Sequence, residues 1–311
     1  MEPTLVVRYA EIHLKGLNRP YFERSLVNRI ELALKPAKAD VVREQGRIFV
    51  FGIPAEELDS AADKLTRVFG IHSVSPALAT DKEWPEIVDA AKVLMTKRLS
   101  GKEHLTFKVF ARRADKHFPM RSAEINRTLG GLMLDAFPAL SVDVHKPDCY
   151  VGVEIRQNQA FIFIDELLGA GGMPVGCNGH AMLLISGGID SPVAGHMIAK
   201  RGVRISAVHF FSYPYTSERA RDKVVDLTRI LSAYAGAVDL YLVPFTEIQL
   251  AIYEKCPQSE TTVLMRRLMM KLSERLALAC GAQALVTGES IGQVASQTIE
   301  SMTVTGDAVS L

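Results

Sequence analysis

The chain has 311 residues, 48% of them hydrophobic and 23% charged, which fits two or three ordinary water-soluble domains and excludes disordered, fibrous and disulfide-stapled classes. Its 36 Lys and Arg against 35 Asp and Glu leave a formal net charge of +1, a sum that hides local fields. The opening MEPTLVVRYAEIHLKG carries charge at Glu2, Arg8 and Glu11 and has no long apolar core. It reads as neither signal peptide nor membrane anchor, so the expected location is cytoplasmic, with no membrane partner.

Residues 4–9 (TLVVRY) predict a short strand, and the Asn18-Arg19-Pro20 turn starts a helix whose Phe22, Leu26, Ile30 and Leu34 recur at helical spacing. VVREQGRIFVFG supplies two strands around Gln45-Gly46, closing a small α+β module over residues 1–57. A helix over AEELDSAADKLTRVFG ended by Gly70, a strand around IHSVSPALA and a helix from Glu83 to about Leu99 open a second α+β module. LTFKVFARRA alternates as a strand, SAEINRTLGGLMLDAF is helical, and strands follow to Leu168, so this module spans 58–168. Glycine-rich GAGGMPVGCNGH reads as a linker over 169–180.

From residue 181 to 311 the pattern changes to buried strands alternating with helices, which predicts an α/β domain with a doubly wound parallel sheet. Such sheets place ligands at the carboxyl ends of their strands. SGGIDS, HFFSYPYT and TGES all fall at such ends.

Residues 101–130 hold seven bases against three acids, whereas 131–175 hold two against six. Arg112, Arg113 and Lys116 fall where a strand gives way to a loop, beside His117 and Phe118, and Arg121 precedes the next helix. Clustered cations with an aromatic suit contact with an RNA backbone, and a merely solvated basic face is the alternative. Lys15, Arg19 and Arg24 extend the track in the first module. The four cysteines, 149, 177, 256 and 280, form no CxxC, so neither a zinc framework nor a disulfide scaffold is indicated. Cys149 and Cys280 are expected in the core, and Cys177 and Cys256 are the two candidates for exposure.

The chemistry is carried by Ser186-Gly187-Gly188-Ile189-Asp190-Ser191, between the strand Met182–Ile185 and a helix that begins near Pro192. Two glycines let backbone N–H groups turn inward, and the Ser186 and Ser191 hydroxyls and the positive helix end complete an anion cradle. No Gly-Lys-Ser/Thr follows, so it is not a Walker loop, and it is not a GxGxxG fingerprint. A tight turn would account for an isolated SGG. Asp190 beside phosphates needs an intervening cation, for which Mg2+ is suited, or else it simply caps its helix.

The strand-SGGxDS-helix string resembles the PP-loop ATPases, which cleave ATP between its α and β phosphates. LLISGGIDSPVAGHMIAKRG, VHFFSYPYTSERARDKV, TTVLMRRLMMKLSERLA and ALVTGESIGQVASQTIESM look like segments of the tRNA 4-thiouridine synthetase (tRNA sulfurtransferase) family. The basic module looks like that family's THUMP domain and residues 1–57 like its ferredoxin-like leader, so the likeness covers nearly the whole chain. The resemblance implies ATP-dependent adenylation of the C4 oxygen of uridine 8 in tRNA, and displacement of AMP by persulfide sulfur from a cysteine desulfurase. Some members also supply sulfur for thiamine's thiazole, and a homodimer is compatible with the family.

Carried over by motif, Asp190 is the catalytic and Mg2+-binding residue. ATP is expected to meet Leu184, Ile185, Ser186, Gly187, Gly188, Asp190, Ser191, His209, Phe210, Arg266, Gly288 and Gln297. His209 has a structural alternative, Arg267 a solvated one, and Met265, Met269 and Met270 read as helical core. Family members continue past ASQTIESM with more catalytic domain, including a cysteine that handles sulfur. The expectation is therefore a PP-loop domain truncated at its C-terminus. Competing readings are another PP-loop tRNA-modifying or amide-forming ligase, which should lack HFFSYPYTSERA and GQVASQT, and a non-catalytic RNA-binding protein.

Overall fold

The computed structural model describes residues 1–292 and 298–311, which form two compact units. One comprises Met1–Gly16 and Leu26–Gly171, the other Leu17–Ser25 and Gly172–Leu311. No helix among the described residues is long and apolar enough to cross a membrane.

The first unit is built on a nine-stranded sheet. Its strands are β1 (Glu2–Arg8), β2 (Asp40–Glu44), β3 (Arg47–Phe51), β4 (Ser73–Thr80), β5 (Leu105–Arg113), β6 (Leu140–Val142), β7 (Cys149–Ile155), β8 (Ala160–Ile164) and β9 (Leu167–Leu168). The order is β2-β3-β1-β4-β8-β7-β5-β6, with β9 beside β4. β5 runs parallel to β6 and β7, and the other pairs are antiparallel. The β2–β3 hairpin closes through Gln45 (φ 39°) and Gly46 (φ 81°), the left-handed pair a two-residue hairpin loop demands.

Helices α1 (Arg19–Leu34), α2 (Leu58–Thr66), α3 (Trp84–Leu99) and α4 (Ser122–Ala136) follow the expected periodicity. α2 stops four residues before Gly70. Arg67 and Val68 bond back three residues to Lys64 and Leu65, tightening the last turn, and Gly70 (φ 104°) turns its N–H to Gly171 O at 2.8 Å. β5 alternates as its sequence predicts: Leu105, Phe107, Val109 and Ala111 join the core with residues of α3 and α4, while Lys108, Phe110 and Arg112 lie on the other face.

That other face closes upon itself. Phe49 of β3 stacks on Phe161 of β8 at 4.0 Å, although β1 and β4 lie between their strands, so the sheet is coiled. Within the fold, Glu154 receives Arg8 at 3.4 Å, Arg47 at 3.5 Å and Arg156 at 2.7 Å. Burial alone would raise the Glu154 carboxyl, but Arg47, Arg8 and Arg156 outweigh it and hold it below the usual carboxylate range. Gly152 is required here, because a Cβ would strike the ring of its cross-strand partner Phe163, on whose ring Arg8 packs at 4.5 Å.

The second unit carries a parallel sheet, order β12-β11-β10-β13, of β10 (His180–Leu184), β11 (Arg204–Phe211), β12 (Leu240–Pro244) and β13 (Leu285–Val286). Its helices are α5 (Asp190–Ala199), α6 (Glu218–Ala235), α7 (Thr246–Lys255), α8 (Thr261–Ala279) and α9 (Ile299–Gly306). Alternate residues of β10 serve opposite layers. Met182 packs with Ala277 of α8, and Leu183 lies against α5, where Gly195 permits the approach: a Cβ there would sit 2.6 Å from Leu183 Cδ2 and 3.1 Å from Leu231 Cδ2 of α6. The strand order reverses between β10 and β13, the switch point where a doubly wound sheet opens its crevice.

Segment 169–180 is bonded along its length. Gly169 and Gly171 donate to His72 O and Ile71 O, and Met173 and Gly176 to Lys200 O and Gly202 O.

Candidate functional site

A cavity of about 370 Å³ opens at the switch point. Of the residues the sequence singled out for ATP, Leu184, Ile185, Ser186, Asp190, Ser191, His209, Phe210, Arg266 and Gly288 all line it. They come from the carboxyl ends of β10, β11 and β13, from the start of α5 and from α8. Gly187 and Gly188 belong to the connecting loop, outside the cavity wall, and Gln297 lies outside the described residues.

The loop is closed by its own hydroxyls. Ser186 N donates to Ser191 Oγ at 2.9 Å, the two Oγ atoms are 3.1 Å apart, and Gly188 N reaches Ser186 Oγ at 3.3 Å. Ser191 is buried, so its hydroxyl shapes the loop. The cap position of α5 is Ile189, which has no side-chain oxygen, and Asp190 takes the first helical position. Gly288 is fixed by packing: a Cβ would collide with the backbone N and Cα of Ser191, so the β13 loop lies directly on the start of α5.

Electrostatics divide the wall. Arg266 Nη2 pairs with Glu289 Oε1 at 3.0 Å, and both side chains are about one-fifth exposed. Arg267 turns away and donates to Val304 O at 2.6 Å. His209 Nδ1 lies 3.0 Å from Ile185 O, which can only accept, so the proton sits on Nδ1 and Nε2 carries a lone pair. Burial pushes the His209 ring below the usual histidine range, against the Ile185 hydrogen bond, so it is neutral at pH 7.

Six wall residues were not among those expected to meet ATP: Val208, Met269, Met270, Thr287, Glu289 and Thr305. Met269 and Met270, expected as core, are half-buried and line the cavity, because α8 puts positions three and four after Arg266 on the same face. Glu289 was inside TGES yet was not singled out. Thr305 of α9 carried no local signal.

No group of three or more His, Cys, Asp or Glu among the described residues could hold a metal ion. The donors fit magnesium only as a site completed by phosphate oxygens, since that ion takes one or two protein carboxylates and Asp190 faces the cavity. Cys149 is buried, with its thiol pushed up to about 11 by burial, and Cys177, Cys256 and Cys280 are half-buried.

On the first unit, Arg112, Lys116 and Arg121 are exposed, and Arg113 is half-buried and donates to Phe118 O at 2.8 Å. Phe118 itself is buried in the core, so it cannot be the aromatic of a binding surface. Phe110, 43% exposed with Arg112 packed over its ring at 5.0 Å, is the aromatic available. Asp115 anchors the loop: it is buried, accepts from Lys82 at 2.7 Å and from His117 N at 2.8 Å, and its carboxyl is pulled to about 2, chiefly by the Lys82 bond.

Together the loop, the crevice and the preceding mixed sheet define a PP-loop nucleotide-binding domain behind an α+β module of the THUMP type. Family models agree: the ThiI ferredoxin-like domain matches 4–75, the THUMP domain 81–165, and Thiamine biosynthesis protein (ThiI) 176–311. A probable tRNA sulfurtransferase of Acetivibrio thermocellus is 52% identical over all of this chain and 80% of its own length. Its counterpart in Lachnospira eligens is 49% identical, also over 100% of the chain and 80% of its own length. Among solved structures, a 4-thiouridine synthetase in complex with RNA and bound ATP superposes with TM-score 0.91 at 39% identity, covering 100% of this chain and 79% of that one. PH1313 of Pyrococcus horikoshii gives 0.77 at 28% identity, over 98% and 90%. The chain belongs to the tRNA sulfurtransferase family.

Proposed function

We propose that this chain binds ATP in the switch-point crevice and uses it to activate uridine 8 of a tRNA for conversion to 4-thiouridine. The observation that carries the proposal is the convergence of SGGIDS, His209-Phe210, Arg266 and Gly288 on one cavity. Its SGGIDS end holds Ser186 and the N-terminus of α5, suited to phosphates, and its Phe210 and Met269 side is apolar and suited to adenosine.

The uridine C4 oxygen attacks the α-phosphorus of ATP, the bond to the β-phosphate oxygen breaks, and pyrophosphate leaves into the loop. The terminal sulfur of a cysteine persulfide, carried by a desulfurase, then attacks C4. AMP departs with the former carbonyl oxygen, and a thiolate cleaves the remaining S–S bond. A carbonyl oxygen is a poor leaving group until phosphorylated, and donors aimed at the departing pyrophosphate stabilise its charge. Asp190 would hold magnesium, whose contribution when bound is to neutralise phosphate charge. Leu184 and Ile185 line the nucleotide's side of the crevice, neutral His209 offers Nε2 as an acceptor, and Arg266, steadied by Glu289, brings its charge to the phosphates. Gln297 would supply an amide to base or phosphate. Arg112, Lys116 and Arg121 track the tRNA backbone, Arg113 holds their loop through Phe118 O, and the reaction runs in the cytoplasm.

Pyrophosphate release from ATP and Mg2+ tests this reading. Release is expected only with tRNA, and to vanish when uridine 8 is replaced by cytidine. Release of equal rate without tRNA, or with the substituted tRNA, overturns it.

A further inference from the structure

The described cavity wall carries two carboxylates, Asp190 and Glu289, against one guanidinium, Arg266, which is already paired with Glu289. Without a metal ion at Asp190, a further cation beside the loop would favour a polyphosphate there.

Lys223 of α6 stands there. A Cβ placed on Gly187 would lie 3.9 Å from Lys223 Cδ, so the lysine stem runs alongside the SGGIDS loop. Among the described residues, the Lys223 side chain makes no ion pair or hydrogen bond, and it is exposed. Its position follows from the packing. Val224 and Leu231 bury the inner face of α6, and Gly195 lets α5, which starts at the loop, come close to α6. Lys223 is one residue before Val224, at the edge of that inner face. An ammonium on a four-carbon stem is suited to phosphate as a mobile point charge.

We infer that Lys223 is a phosphate-binding residue of this site, closing over the β- and γ-phosphates of ATP from the α6 side. The inference deepens the proposed function and rests on it.

Equilibrium binding of ATP and AMP to the full chain, by calorimetry without added metal, separates the two. Lys223→Ala should weaken ATP about 10- to 100-fold, the range of one charge-assisted hydrogen bond, and leave AMP unchanged because AMP lacks the β- and γ-phosphates. Lys223→Arg should retain most of the ATP affinity. Arg229→Ala, which removes the same charge further along α6, should bind both nucleotides as the unmodified chain does. Unchanged ATP affinity in Lys223→Ala, or an equal loss for ATP and AMP, overturns the inference while the proposed function stands. Failure of the unmodified chain to bind ATP removes both.

Discussion

In the parallel sheet every strand ends at the same edge, so β10, β11 and β13 bring their loops to one mouth and the helix after β10 turns its positive end toward it. In the nine-stranded sheet most neighbours run in opposite directions, and no edge gathers the strand ends. There the polar groups of one face turn inward around Glu154, and cations meant for solvent are carried on a loop pinned by Asp115. A parallel sheet makes a site from backbone topology, whereas the mixed sheet relies on individual side chains. Contiguous motifs therefore locate the first site, and only the three-dimensional structure sorts out the second.

The contrast can be broken hardest at the inward face. Glu154→Ala leaves buried Arg8 and Arg156 and half-buried Arg47 without their shared carboxylate and should cost about 3–5 kcal/mol in a denaturant melt. A loss under about 1 kcal/mol would show that the arginines find other partners. Gly288→Ala forces the β13 loop off the start of α5, a strain of about 1–3 kcal/mol, and should abolish ATP binding while tRNA binding persists. Calorimetry with ATP and a tRNA gel shift on the same sample read the two sites separately.

The basic loop is sharpened by sorting its cations. Replacing Arg112, Lys116 and Arg121 with alanine should lower the log-log salt slope of tRNA binding by about 2 to 3 with ATP affinity intact. Arg113→Ala should instead cost about 1 kcal/mol of stability through the lost bond to Phe118 O. An unchanged slope in the triple variant would make the cluster a solvated face. The smallest effect is at acid pH. The folded Asp115 carboxyl, at about 2, lies below its unfolded value, so its stabilisation is complete above about pH 4 and is lost as pH falls through about 2. Fluorescence of Trp84, the one tryptophan, should follow this step, and Asp115→Asn should erase it.

Leu184, Ile185, His209 and Phe210 were carried over by motif, and their meeting in one cavity agrees with the rule for parallel sheets, as does that of Ser186, Asp190, Ser191, Arg266 and Gly288. Met269 and Met270 were legible too, since Arg266 fixes which face of α8 they share, but their apolar character favoured the core reading. Thr305 was not, because nothing local tells α9 where to pack. Phe118 and Phe110 show the limit for the basic surface: both are aromatics near arginines, but Phe110 is exposed by strand alternation on β5, whereas Phe118 is buried by the packing of the loop after it on the core. The loop hydroxyls were assigned to an anion, yet Ser191 spends its hydroxyl on Ser186, a geometry no spacing reveals.

The stacking of Phe49 on Phe161 has a consequence for how the chain folds. The ferredoxin-like and THUMP matches cover 4–75 and 81–165, but β4 straddles the gap between them and pairs with β1 on one side and β8 on the other. Cutting the chain between the two matches would hand one fragment a naked strand edge and the other an uncovered aromatic face. The two matches are thus one unit of cooperative folding, and expression of either half alone is expected to yield aggregates where the joined pair yields a single melting transition.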